Sequence, residues 1–245
     1  MGAALSLLLR QDARMADAEV GSSTRGTGEP TPRHLGEPRW AMAVAVLATE
    51  VLHATLPTQI RGVGQVWVYP TVVVGLLAVL VIGDPGRIDK PNTWLRVVTG
   101  LLISFITVVN AASTIELVHL ILTNAPLGTP NRLLGAGAAV WLINVIAFGL
   151  WFWDLDQGGA AERAKGTTRL PAVLFPEATN PEMVRTGWYP TLIDYLHMSF
   201  GISTSFGPSD VSGIKLWSKT MMTFESAVSL VLAVLIITRA INLLP

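Results

Sequence analysis

The sequence predicts an all-α polytopic transmembrane helical bundle of six spans, with five spans plus a re-entrant, pore-like helix as the alternative. Three observations predict it. Apolar runs long enough to cross a hydrocarbon core recur between clusters of glycine, proline and charge, and such a core needs roughly 20 mainly apolar residues as helix. Tryptophans stand at the ends of these runs, and basic residues alternate from loop to loop. Only 14% of the 245 residues are charged and 51% are hydrophobic, against about 25% charged in an average soluble domain, which excludes a disordered chain and argues against an ordinary soluble enzyme.

Residues 1–39 are rich in Gly, Ser, Thr, Pro and Arg without apolar periodicity and read as a disordered cytoplasmic tail. Residues 40–153 hold four spans. The first runs from Trp40 to about Leu56, before Pro57; the second, Trp67 to Gly83, stops at Asp84, Pro85 and Gly86. The third, Trp94 to Thr123, is long enough to tilt. In the fourth, Leu133 to Trp153, Gly135, Gly137 and Ala139 leave one face small, so that a neighbouring helix can approach closely. Residues 154–187 read as a polar cytoplasmic linker with prolines at 171, 176 and 181, too short for a soluble catalytic domain. Residues 188–245 form a C-terminal helix-loop-helix membrane module: Trp188 to Phe206, which either crosses or re-enters, then the long apolar run from Leu216 to Leu244.

Charge places the N-terminus in the cytoplasm. With six spans, thirteen basic residues fall inside and four outside; with five spans and a dipping loop the division is fourteen to three, and both satisfy the positive-inside rule. Net charge is zero, with 17 basic and 17 acidic residues, so no basic field exists to hold nucleic acid. The absence of cysteine removes thiolate metal sites and cysteine nucleophiles.

Titratable groups inside apolar runs are the functional clue, because at membrane depth they cost several kcal/mol unless paired or wet. Three histidines share the spacing acid-x-x-His: Glu50 with His53, Glu116 with His119, and Asp194 with His197. Residues three apart lie on one helix face and can share a proton or a ligand. Glu225 in the last span and Asn110 in the third add to this set. The expected polar centre has Glu116 and His119 innermost, Asp194 and His197 opposite them, and Glu225 as counter-charge. Its predicted role is ion or proton permeation. In one alternative the three acid-histidine pairs hold a divalent metal, as paired Glu-x-x-His motifs do in di-iron bundles; otherwise no cofactor is expected. In another, the polar groups only bridge helices, in a non-conducting structural or partner-binding protein.

The run Asp194-Tyr195-Leu196, Ser199-Phe200-Gly201, the Ser209-Asp210-Val211 turn and a long helix ending in Asn242 resemble the C-terminus of a widespread family of uncharacterised bacterial multi-pass membrane proteins. The resemblance covers about the last 60 residues and implies the bacterial plasma membrane, without implying an activity. The same module is distantly similar to the pore helix, filter and inner helix of potassium channels. That similarity makes Thr204, Ser205, Phe206, Gly207, Pro208, Ser209 and Asp210 a filter-like loop, in a degenerate form, since Pro208 and Ser209 replace residues whose carbonyls would face an ion. The expected partners are the lipid bilayer, a small ion and further copies of the chain.

Overall fold

The computed structural model describes residues 35–61, 67–89, 92–123, 125, 129–205 and 210–242. Among the described residues the regular elements are helices apart from two ribbons of paired two-residue strands, and three of the helices are long and apolar enough to cross a membrane. β1 (Glu37–Pro38) leads into α1 (Arg39–Thr55), which buries Met42, Ala45, Val46, Thr49 and His53 at helical spacing. Arg61 then folds back and donates to the carbonyls of Leu56 and Ala54 at 2.7 and 2.6 Å, a cation placed where a helix C-terminus carries partial negative charge.

α2 (Val68–Gly83) returns antiparallel to α1. Its end is fastened to the start of α1: Arg39 donates through Nε to the Asp84 carbonyl at 2.8 Å and through Nη2 to the Asp84 carboxylate at 2.7 Å, and β1 pairs with β2 (Arg87–Ile88). α3 (Thr93–Leu122) starts at Asn92, whose side chain accepts from the Trp94 amide at 3.1 Å. α4 (Pro130–Leu155) is the central helix and packs against α1, α3, α7 (Leu192–Ser205) and α8 (Leu216–Asn242). Two of its glycines explain that position. A Cβ on Gly149 would lie 2.7 Å from Leu196 Cδ2 and 3.2 Å from Leu196 Cα, and one on Gly137 would run into Ile236, whereas Gly135 faces open space.

One end of the bundle collects the starts of α1, α3, α7 and α8 and the ends of α2 and α4. Arg96 of α3 donates to the Asp154 carbonyl of α4 at 3.2 Å, the Leu192 amide of α7 donates to Glu37 at 2.8 Å, and Trp217 of α8 stacks on Phe152 of α4. We call this the near end. The segment after α4 also folds here: α5 (Ala160–Ala164), β3 (Val173–Leu174) and α6 (Pro176–Thr179) bury Ala160, Arg163, Ala164, Ala172, Val173 and Phe175 against the helix ends. A free polar linker over residues 154–187 is therefore corrected to a folded cap. Within the expected tail, Glu37 and Arg39 are likewise buried structural residues, and residues 1–34 lie outside the described ones.

The C-terminal module enters and comes back. α7 leaves the near end and is only 14 residues long, about 21 Å at 1.5 Å per residue. By β4 (Ser212–Gly213) the chain is again at the near end, paired antiparallel with β3, and the Ser218 hydroxyl of α8 donates to the Ala172 carbonyl at 2.7 Å. α7 and α8 therefore both start at the near end.

The glycine contacts predict a contrast. Gly149→Leu pushes α7 off α4 and lowers unfolding free energy by about 1–3 kcal/mol, whereas Gly135→Leu, with nothing within 4 Å of its Cβ position, leaves it nearly unchanged. Thermal or denaturant unfolding of the detergent-solubilised protein measures both.

Candidate functional site

The near end holds a fully enclosed charge network. Arg163 of α5 has no exposed side-chain surface. Its guanidinium donates to the carbonyls of Trp153, Asp156 and Pro190 at 2.7, 2.9 and 3.2 Å, reaches Glu37 at 3.4 Å, and lies 4.9 Å from the centre of the Tyr195 ring. Each oxygen of Asp156 is also partnered: it accepts from the Tyr195 hydroxyl and the Ala172 amide, each at 2.6 Å. Glu37 accepts from the Trp153 indole and the Leu192 amide. A buried charge is tolerated when every lone pair and proton is matched, and here the matches tie β1, α4, α5, α7 and β3 into one end plate.

Deeper in the bundle α7 and α8 run side by side in the same direction. α7 buries Tyr195, Ser199 and Ser203, which recur every four residues on one face, and α8 buries Ser218, Met222, Glu225 and Ser229. Glu225 is completely enclosed, nine residues or about 14 Å along α8 from Leu216. Its Oε1 meets the hydroxyl of Ser199 in a short contact and accepts from Ser203 at 3.1 Å, while Oε2 has no partner. Ser229, one turn on, is enclosed with its hydroxyl unpartnered, as is the Asn144 amide nitrogen of α4. Among the described residues no cation pairs with Glu225.

Proton accounting at Ser199 is the informative detail. Its hydroxyl lies against two acceptors, Glu225 Oε1 and the Val145 carbonyl at 2.8 Å, but owns one hydrogen. If Ser199 donates to Glu225, the Val145 carbonyl goes without; if it donates to Val145, Glu225 must bring the proton. The same atoms accommodate the carboxylate and the carboxylic acid by a rotation of one hydroxyl.

The expected polar centre is only partly assembled. Glu225 is central. Asn110 is buried on α3 with its side-chain oxygen unpartnered, outside the hydrogen bonds of Glu225. Glu116 is half-buried and His119 is exposed near the end of α3. Glu50 is half-buried with one unpartnered oxygen, while His53 stacks on Tyr69, ring centres 3.9 Å apart, with Nε2 3.2 Å from the Arg61 carbonyl. His197 is exposed, and Asp194 accepts from the Thr191 amide at 2.7 Å and the Thr191 hydroxyl at 2.8 Å. Asp194 thus supplies the back-reaching half of a helix-capping box to the Thr191 amide, which accounts for the acid without a histidine partner. None of the three acid-histidine pairs is hydrogen-bonded to itself, and among the described residues no three His, Asp or Glu side chains gather as metal ligands. The physical reason is that a spacing of three fixes a shared face but not which way that face turns. In the filter-like loop, Thr204 and Ser205 are the last turn of α7, their hydroxyls donating back to Phe200 and Gly201, and Asp210 is exposed near β4; Phe206, Gly207, Pro208 and Ser209 lie outside the described residues.

No protein-family model matches the chain, and no curated protein or solved structure matches it significantly.

Burial raises the Glu37 carboxyl above its ordinary value near 4.5, against the opposing pull of Arg163 and the Leu192 amide. The folded protein therefore binds this proton more tightly than the unfolded chain, and the associated stability is lost as pH rises from about 4.5 through the native value. In melting curves taken between pH 4.5 and 7.5, Glu37→Gln should flatten this fall relative to wild type. Parallel profiles for the two proteins would contradict it.

Proposed function

We propose that this is an integral membrane protein of five crossings and one re-entrant helix, with a cytoplasmic near end, that passes protons or a small cation through a polar centre built on Glu225. The five crossings are α1, α2, α3, α4 and α8, and α7 is the dipping element. Support for the dip comes from the pairing of β3 with β4 and from the 14-residue length of α7. The orientation is supported by charge: Arg39, Arg87, Arg96, Arg163, Lys165, Arg169, Arg185, Lys215 and Lys219 belong to the near end, whereas Arg61, Arg132 and Arg239 belong to the other. The resemblance of residues 188–245 to bacterial multi-pass proteins points to a plasma membrane.

The observation that carries the permeation reading is the single hydrogen of Ser199 between Glu225 and Val145. A group that keeps its hydrogen bonds with or without an added proton can receive and release one without rebuilding its surroundings. Tyr195, Ser199 and Ser203 extend hydroxyls along one face of α7, from Asp156 in the end plate to Glu225 in the interior. An intramembrane ionisable residue is by default a functional-site candidate. Among the described residues no ligand cluster supports the metal reading, and the bridging reading leaves Glu225 Oε2 and the Ser229 hydroxyl unaccounted for.

Purified protein in liposomes with an internal pH dye, and with potassium or sodium gradients in parallel, tests this. Wild type should dissipate a gradient faster than empty vesicles, and Glu225→Gln, which keeps the shape but cannot ionise, should lower that rate about tenfold or more. Equal rates for wild type and the variant would remove Glu225 from any path.

A further inference from the structure

A second site lies at the near end, away from Glu225. The turn from α4 into α5 runs through Gln157, Gly158 and Gly159, all with positive φ, at 53, 93 and 92°, and side chains close around the two glycines. The Arg169 guanidinium lies 2.6 Å from where a Cβ of Gly158 would sit, with Glu162 Cγ at 3.3 Å; Arg96 Nε and Asp154 Oδ1 lie 3.8 and 3.9 Å from the Cβ position of Gly159. These residues line a cavity of about 250 Å³, together with Arg39, Asn92 and Thr99. Arg39 is already matched by Asp84. Among the described residues neither Arg96 nor Arg169 forms an ion pair with Asp154 or Glu162.

Two guanidinium groups and two carboxylates face one cavity with no ion pair between them, Arg96 donating to the backbone carbonyl of Asp154 at 3.2 Å and not to its carboxylate. Opposite charges left apart this way complement a ligand that carries both signs, since each end gains a charge-assisted hydrogen bond. The cavity is lined in part by the starts of α1 and α3, where the neighbouring Trp40 and Trp94 stand outward, 67% and 66% exposed, as indoles do at headgroup depth. Basic pockets between helices at this level take lipid phosphates, and the carboxylates add a requirement for an ammonium. We infer that this cavity binds a phosphoethanolamine group, the headgroup of a phosphatidylethanolamine, with the phosphate on Arg96 and Arg169 and the ammonium on Asp154 and Glu162. A quaternary trimethylammonium cannot donate to those carboxylates, and a glycerol headgroup brings no cation to them.

Native mass spectrometry of the delipidated full-length protein tests this, with phosphatidylethanolamine, phosphatidylcholine, phosphatidylglycerol and soluble O-phosphoethanolamine as probes. Phosphatidylethanolamine should be retained about tenfold more strongly than the other two lipids, the scale of one or two charged hydrogen bonds. R96Q/R169Q should abolish its retention, and E162Q should erase its preference over phosphatidylcholine while leaving lipid bound. Displacement by O-phosphoethanolamine assigns recognition to the headgroup alone. Lipid selectivity without displacement assigns it to the intact lipid, and both support the site. Equal retention of the three lipids by wild type would overturn it, as would unchanged selectivity in the variants. Should R96Q/R169Q fail to fold, E162Q on the short, partly exposed α5 decides.

Discussion

A carboxylate enclosed among apolar helices has to find its hydrogen bonds inside the protein, and Glu225 finds them on α7. Much of the architecture follows from that demand. α7 must lie beside α8 and run in the same direction, so the chain between them has to come back to the end it started from. The β3–β4 pairing and the bond from Ser218 to the Ala172 carbonyl fix that return. Central α4 then has to receive both helices closely, which Gly149 and Gly137 allow.

The near end supplies the rigid frame. Arg163 acts as a hub because a guanidinium offers five donors in a fixed plane, and four of its contacts lead to different parts of the chain. Tyr195 belongs to both systems, its hydroxyl bound by Asp156 in the plate while its helix presents Ser199 and Ser203 to Glu225. The chain thus spends its buried charge on holding α7 in place and leaves the interior site with one acid, a few hydroxyls and an amide. Such a site is loosely satisfied by comparison, with oxygen atoms of Glu225 and Ser229 unpartnered.

Helix positions were legible because breakers and interfacial tryptophans are local signals: Pro57, Asp84-Pro85-Gly86 and Trp94 mark ends that agree with α1, α2 and α3 to within a residue or two. The folded cap was not, since Arg163 owes its burial to partners 27 and 126 residues away, and no local pattern distinguishes it from a solvated arginine. Acid-x-x-His spacing named Glu225's neighbours wrongly for a related reason. It reads helix phase without direction, and direction is set by which residues flank the polar ones. The stripe Tyr195, Ser199, Ser203 on α7 was present in the sequence, with Glu225 and Ser229 four apart on α8, and hydroxyls at a spacing of four were the better signal. The contact of Asp194 with the Thr191 amide at the start of α7 was equally readable from the Thr-x-x-Asp spacing.

Whether water reaches the interior between α7 and α8 is the point on which the account turns, and the chain's lack of cysteine makes it directly measurable. Ser203→Cys and Phe224→Cys, the latter on the exposed outer face of α8, are each treated in sealed vesicles with a charged, water-borne thiosulfonate and with a lipid-soluble maleimide. Position 203 should react with the charged reagent and position 224 only with the lipid-soluble one. A cysteine at 203 that the charged reagent never modifies would mean a dry, closed contact between two helices, and no path through Glu225.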